Sequence, residues 1–100
     1  MTLSEQLCIL SHLMGRDFKG ENMVFTDSNG RERQLIAISG ESNGEIFVTL
    51  KDIKSRKVFD TSLKVYNPAT NRVSYDHELI KNILRVLGRK RVREIKESLW

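Results

Sequence analysis

The stretch that decides the fold covers residues 22–66 and reads NMVFTDSNGRERQLIAISGESNGEIFVTLKDIKSRKVFDTSLKVY. Apolar and polar residues alternate along it with a period of two, which is typical of strands that bury one face. The alternation predicts four strands, at residues 22–26, 32–39, 45–51 and 56–66. Two Asn-Gly pairs lie between the first three strands, and such pairs readily adopt the positive φ angles of tight hairpins. Because short links join antiparallel neighbours, the stretch predicts an antiparallel meander.

The same alternation predicts which side chains face the core. Ile36 and Ile38 share one face of the second strand, and Phe59, Leu63 and Val65 share one face of the fourth. The matching face of the third strand carries Ile46, Val48 and Leu50. Polar residues occupy the other face of the fourth strand, so we expect a sheet with one packed side and one hydrated side. A sheet of this length can also curl into a partial barrel.

The segment before the meander predicts a helix. Apolar residues recur at helical spacing over residues 3–14, and Gly15 is placed to end the helix. Thr2 and Glu5 have the spacing of a capping box, in which the two side chains satisfy free amides of the first turn. Cys8 lies among leucines and isoleucine in this segment. We predict that it is buried in the core, because free cysteine is among the most buried residue types.

The segment after the meander predicts a second helical region. A turn at Pro68 follows the fourth strand, and residues 72–75 predict a short fifth strand. Asp76 then stands where a helix N-cap would. The apolar faces before and after Gly88 differ by roughly a quarter turn, so we predict a break there. The 100 residues thus predict a single α+β domain with an N-terminal helix, four to five antiparallel strands and a C-terminal helix broken near Gly88.

The net positive charge of the chain is concentrated near its C-terminal end. Residues 79–100 hold 7 Lys and Arg against 2 Glu, whereas residues 1–78 hold 10 Lys and Arg against 11 acidic residues. On a helical wheel one stripe carries four cations, which are Arg85, Arg89, Arg93 and Lys96. The loop before the fourth strand carries a second cluster, which includes Lys54, Arg56 and Lys57. Guanidinium groups suit phosphate because they present planar, paired donors, so the two clusters are candidates for binding nucleic acid.

These charges favour a small, non-enzymatic regulatory domain that binds nucleic acid, although the chain carries no recognisable nucleic-acid motif. Three alternatives stay open. The stripe is a solvated face if Glu94 and Glu97 pair with neighbouring cations, or it binds an acidic protein surface or a membrane surface. The third alternative is a protein-interaction module or small inhibitor that docks on a larger complex through a sheet edge or through Leu99 and Trp100. A homodimer is compatible with each of these.

Catalytic and metal-binding arrangements are poorly represented. Cys8 and His12 are one helical turn apart, but a metal site needs further ligands that the sequence does not supply. An acid-x-Lys triplet at Asp52 and Lys54 lacks a second carboxylate that must converge on it. We therefore predict no enzymatic activity, no cofactor and no metal. The single cysteine favours a reducing, cytoplasmic compartment, and no apolar run approaches the roughly 20 residues of a membrane span.

Overall fold

Three helices and six strands follow one another along residues 1–99, which are the residues that the computed structural model of the protein describes. In chain order they are α1 (Leu3–Ser11), β1 (Val24–Thr26), β2 (Glu32–Gly40), β3 (Ile46–Asp52), β4 (Val58–Ser62), β5 (Lys64–Asn67), β6 (Arg72–Tyr75), α2 (His77–Leu87) and α3 (Arg89–Leu99). This order confirms the predicted α+β fold, with a helix at one end, an antiparallel meander and a helical region broken at Gly88.

The strands form two antiparallel sheets. The first four strands are neighbours in the order β1-β2-β3-β4, whereas β5 and β6 form a separate two-stranded sheet. Strands β1 and β4 are the edges of the larger sheet, so it is open and not closed into a barrel. The Asn-Gly turns lie where the sequence predicts them, between β1 and β2 and between β2 and β3.

A β-bulge in β2 changes which residues face the core. The register shifts between Leu35 and Ala37, so that Leu35 pairs with Leu50 while Ile38 pairs with Val48. Leu35 and Ile38 are fully buried, whereas Ile36 is only half-buried. The prediction that Ile36 and Ile38 share one face is therefore wrong, because the bulge inserts one extra residue and moves Ile36 out of the alternation.

The predicted fourth strand is divided at Leu63. Strand β4 pairs with β3, whereas β5 pairs with β6 in the smaller sheet. Leu63 lies between them and is buried; its N–H donates to the Ile46 carbonyl at 3.3 Å and its carbonyl accepts from Asp76 N–H at 2.8 Å. Phe59 and Val65, predicted to be buried beside it, are exposed. The prediction is correct for Leu63 alone, since the chain leaves the first sheet at this residue.

The helix starts and the break at Gly88 follow the sequence signals, whereas α1 ends at Ser11, before the predicted end at Gly15. The Thr2 hydroxyl accepts from Glu5 N–H at 3.2 Å, while the Glu5 carboxylate accepts from Thr2 N–H at 3.1 Å, which confirms the capping box at the start of α1. Asp76 caps α2 by accepting from Leu79 N–H at 3.1 Å. Gly88 separates α2 from α3 with φ 89° and ψ 149°, a conformation that is essentially restricted to glycine.

All three helices contribute to one core with the sheet. Helix α2 contacts β1, and α1 contacts α3. The fully buried side chains include Ile9 and Leu10 of α1 together with Ile80 and Ile83 of α2. Each such side chain contributes roughly 1.5–3 kcal/mol by leaving water. The part of the chain that the structure describes contains no helix long and apolar enough to cross a membrane.

Candidate nucleic-acid interface

The basic stripe runs along α2 and α3 and consists of Arg85, Arg89, Arg93 and Lys96. All four residues are exposed. Arg85 lies in the last turn of α2, and its Nη1 donates to Oδ1 of Asn82 at 3.3 Å. Asn82 is the one polar residue in the core among those described, and this hydrogen bond joins it to the exposed Arg85 side chain.

The cations of the basic stripe have no carboxylate partner within the described part of the chain. The ion pairs of residues 1–99 involve Lys19, Arg33 and Arg91 as their basic partners. Glu94 and Glu97 therefore do not pair with their basic neighbours, as the solvated-face alternative would require. None of the four stripe cations is therefore held in an ion pair within residues 1–99.

Arg91 is different from the residues of the stripe. Its Nη2 lies 2.6 Å from Oε1 of Glu21, and its guanidinium carbon lies 5.8 Å from the centre of the Phe18 ring. Phe18 is almost completely buried. A guanidinium above an aromatic face is attracted to the ring quadrupole, so Arg91 fastens α3 to the segment that precedes β1.

Next to the basic stripe lies an open groove of about 360 Å³, which we call the basic groove. It is lined by Met1, Gln6, Lys81, Leu84, Arg85, Arg89 and Val92. Leu84 and Val92 are buried and provide an apolar floor, whereas the three cations are exposed. No carboxylate is among these lining residues. The break at Gly88 places Arg85 and Arg89 on two different helices at this groove.

Lys96 lies near the start of α1. Glu5 has a lowered pKa, first because its carboxylate accepts hydrogen bonds from the Thr2 backbone and side chain, and further because Lys96 is close. The carboxylate of Glu5 is thus held by Thr2 and faces the far end of the stripe. Lys96 consequently marks the limit of the strongly positive surface.

The loop cluster of Lys54, Arg56 and Lys57 belongs to a different part of the molecule. These residues form the exposed turn between β3 and β4. Lys54 lines a groove of about 480 Å³ together with Gly30 and Arg31 of the turn between β1 and β2. Lys54 of the loop cluster therefore lines a different groove from Arg85 and Arg89 of the basic stripe.

Sequence reasoning missed a charge cluster at this same end of the sheet. Arg33 Nε lies 3.2 Å from Asp27 and its Nη1 lies 3.1 Å from Asp52, while its guanidinium carbon lies 4.9 Å from the centre of the Phe59 ring. The Arg33 side chain is only 13% exposed. Burial alone would raise the pKa of Asp27, but hydrogen bonds from the N–H groups of Arg31 and Asn29 and from Arg33 outweigh it and lower the pKa.

The residues considered for catalysis do not assemble. Cys8 is exposed, so its predicted burial is wrong; Ile9 and Leu10 occupy the buried side of α1 instead. Within residues 1–99 no group of three or more His, Cys, Asp or Glu could hold a metal ion. Asp52 of the acid-x-Lys triplet is engaged by Arg33 and by the Lys54 N–H at 3.0 Å, which are structural contacts.

Two apolar surfaces were also missed. Tyr66 and Val73 face each other across the β5–β6 sheet and are 57% and 61% exposed, and Val58 on the edge strand β4 is 59% exposed. Alternation alone cannot show that a strand has left the core. Leu99, predicted to contact a partner, is half-buried against the core, and Trp100 lies outside the described residues.

The structure thus brings Arg85 and Arg89 together at one groove, with Arg93 and Lys96 further along α3 and the loop cluster elsewhere. No family model matches this chain, and no curated protein or solved structure matches it either. A functional assignment therefore rests on the contacts and charges described above.

Proposed function

We propose that the protein is a non-enzymatic regulatory module that binds nucleic acid through its basic stripe. The observation that supports this most directly is that Arg85, Arg89, Arg93 and Lys96 are exposed cations without a carboxylate partner in residues 1–99. A surface that concentrates one sign of charge raises the local concentration of an anionic ligand. Phosphate backbones are the polyanions that such a surface attracts most generally.

The way in which Arg85 is held adds to this support. A free arginine side chain loses rotational freedom when it binds, which opposes binding. Arg85 is already oriented by Asn82, so less freedom is lost when a phosphate is bound. Guanidinium groups also offer two parallel donors to one phosphate, which is why three arginines out of four cations suit this role.

The experiment is a titration of a labelled duplex at several salt concentrations. If the stripe neutralises four phosphates, log K falls by about 3 to 4 units per tenfold increase in salt. We expect the R85E/R89E/R93E variant to lose most of this binding and to have a shallower salt slope. A flat salt response of the unmodified protein, or unchanged binding by the variant, would contradict the proposal.

A matched control separates the stripe from the overall charge. The R16E/K64E/R72E variant changes the net charge by the same amount, and its three positions are exposed and make no side-chain hydrogen bond or ion pair in the described part of the chain. We expect it to bind nearly as well as the unmodified protein. Equal losses in both variants would mean that binding follows net charge and not the stripe.

The loop cluster is expected to help at a distance. Lys54, Arg56 and Lys57 are exposed, and a nucleic acid longer than the stripe could reach them around the molecule. We expect the K54E/R56E/K57E variant to weaken binding to a long duplex more than to a short one. A loss on short duplexes equal to that of the stripe variant would assign the main interface to the loop.

A second function, docking on a protein, is favoured by the exposed edge of the larger sheet. Strand β4 has a strand on one side only, and Val58 on it is exposed. Edge strands can pair with a strand of another chain, including a second copy of this protein. A pull-down from nuclease-treated lysate separates the two functions, because a protein partner survives nuclease, and light scattering tests the homodimer. For either function we propose a reducing, cytoplasmic location, since Cys8 is the one cysteine of the sequence.

A further inference from the structure

The basic groove combines two kinds of surface that a phosphate alone does not match. Lys81, Arg85 and Arg89 supply positive charge, while Leu84 and Val92 supply a buried apolar floor. Met1 lines the same groove and is 58% exposed, and a phosphate that contacts the cations would leave this apolar side chain in water. The best ligand therefore carries anionic groups next to an apolar, flat group that enters the groove.

We infer that the basic groove receives an unpaired base, and hence that the nucleic acid bound by this protein is single-stranded. This inference rests on the proposed function and identifies its substrate class. In a duplex the base faces are stacked and their edges are paired, whereas a single strand can turn a base outwards and stack it on a side chain. Only the single strand offers the groove both phosphates and an apolar face.

Two guanidinium groups, those of Arg85 and Arg89, line the groove. In a continuous helix Arg85 and Arg89 would lie one turn apart on the same face. The break at Gly88 instead places them on α2 and α3, with Leu84 and Val92 lining the same groove. No aromatic side chain lines the groove, so stacking is supplied by guanidinium planes, which stack on bases in single-strand recognition.

Size and charge support the same occupant. The volume of about 360 Å³ falls in the range of roughly 300–1,000 Å³ that is usual for ligand pockets. The three cations face no carboxylate among the lining residues, and Glu5, on the same helix as Gln6, is already held by Thr2. An anionic ligand therefore meets attraction at the rim and apolar contact on the floor.

The decisive experiment compares three labelled probes at one salt concentration. They are an oligothymidine, its duplex with oligoadenine, and an abasic strand of the same length. The oligothymidine has about 12 nucleotides, which is within the range of single-strand binding sites. We expect the oligothymidine to bind about tenfold more tightly than the other two, because one stacked base contributes a factor of this order. The abasic strand is the critical control, since it has the same phosphates and no bases.

A variant that keeps the charge tests the location. Arg85 and Arg89 line the groove and are exposed, so R85K/R89K keeps the charge of the groove and removes the guanidinium planes on which a base stacks. We expect R85K/R89K to bind oligothymidine about tenfold more weakly, at the level of the abasic strand, with an unchanged salt slope. The matched control R93K makes the same exchange on the stripe outside the groove and should keep the preference for the single strand.

The outcomes separate this inference from the proposed function. Steep, salt-dependent binding in which duplex, abasic strand and oligothymidine are equivalent would overturn the unpaired base while the nucleic-acid function stands. An absence of binding to all three probes at low salt would overturn both. Weak binding of the probes together with tight binding of an acidic, amphipathic peptide that R85E/R89E/R93E abolishes would also overturn both, and would assign the groove to a protein partner.

Discussion

Arg33 and Arg93 carry the same guanidinium group in opposite surroundings. Arg33 lies at one end of the larger sheet, between two carboxylates and above the Phe59 ring. Arg93 lies on α3, exposed and without an ion-pair partner in residues 1–99. The difference shows two environments for positive charge in this fold: paired Arg33 joins the turns at one end of the sheet, and Arg93 is exposed to solvent.

Arg91 shows that the division does not follow position in the sequence. It lies in the most basic segment of the chain, yet it pairs with Glu21 and covers Phe18. A count of charges places Arg91 with Arg89 and Arg93, whereas the contacts place it with Arg33. Paired and unpaired arginines should therefore respond differently to substitution.

The largest expected effect is the loss of stability when the paired Arg33 is replaced. Replacing Arg33 with Met leaves Asp27 and Asp52 half-buried without their cation, which should lower the free energy of unfolding by about 3 kcal/mol. Arg93→Met is the matched control and should change it by less than about 0.5 kcal/mol. Urea denaturation of both variants measures the difference. Similar losses in both would erase the distinction between structural and available arginines.

A smaller loss of stability is expected from a substitution at Gly88, the residue that separates α2 from α3. Gly88→Ala forces an L residue to adopt φ 89° and ψ 149°, which should cost about 2 kcal/mol. Lys90→Ala, two residues away on α3, is the control and should leave thermal stability nearly unchanged. Should Gly88→Ala melt at the same temperature as the unmodified protein, the groove would not depend on this break.

A still smaller loss of stability is expected from a substitution at the start of α1, the helix that forms one wall of the basic groove. Thr2→Ala removes the capping box, which should lower stability by about 1 kcal/mol. It should also raise the pKa of Glu5 towards its ordinary value of 4.5, because the Thr2 side-chain hydrogen bond that helps to lower it is lost. Ser4→Ala, an exposed change in the same helix, is the control. Denaturant unfolding gives the first quantity and NMR titration of the Glu5 carboxyl gives the second.

The subtlest difference between the two regions is their response to acid. The pKa of Asp27 in the folded protein is lower than its ordinary value of 3.8, so its contribution to stability is present above that value and is lost as the pH falls through the lower, folded value. Urea unfolding at a series of acidic pH values should show a shallower dependence for Asp27→Asn than for the unmodified protein. An identical dependence would mean that the Arg33 cluster does not hold this carboxylate.

Signals that act within a few residues predicted the fold well. Three local features are confirmed: the capping box at Thr2, the cap at Asp76 and the break at Gly88. Each depends on residues within two helical turns of it. Strand identity was also predictable, because alternation is a local pattern.

Features that depend on distant partners were not predictable. The bulge at Ile36 and the division at Leu63 depend on how each strand pairs with its neighbour. The bulge moves Ile36 out of the core face, and the chain leaves the first sheet at Leu63, so that Phe59 and Val65 are exposed. The partners of Arg33 lie 6 and 19 residues away in the sequence, and Arg91 is joined to a residue 70 positions before it. The stripe itself was visible in the sequence, whereas the groove beside it required the position of α1.

The packing of α1 against α3 also affects how the chain folds. Ile9 near the start of the chain and Ile95 near its end belong to one core. Contacts between segments so far apart in the sequence form slowly, because the long loop between them must close before the contact is gained. The tight turns of the larger sheet join neighbouring segments, so its hairpins can form without either α1 or α3. The part of the core that α1 shares with α3 is therefore expected to be completed after the hairpins.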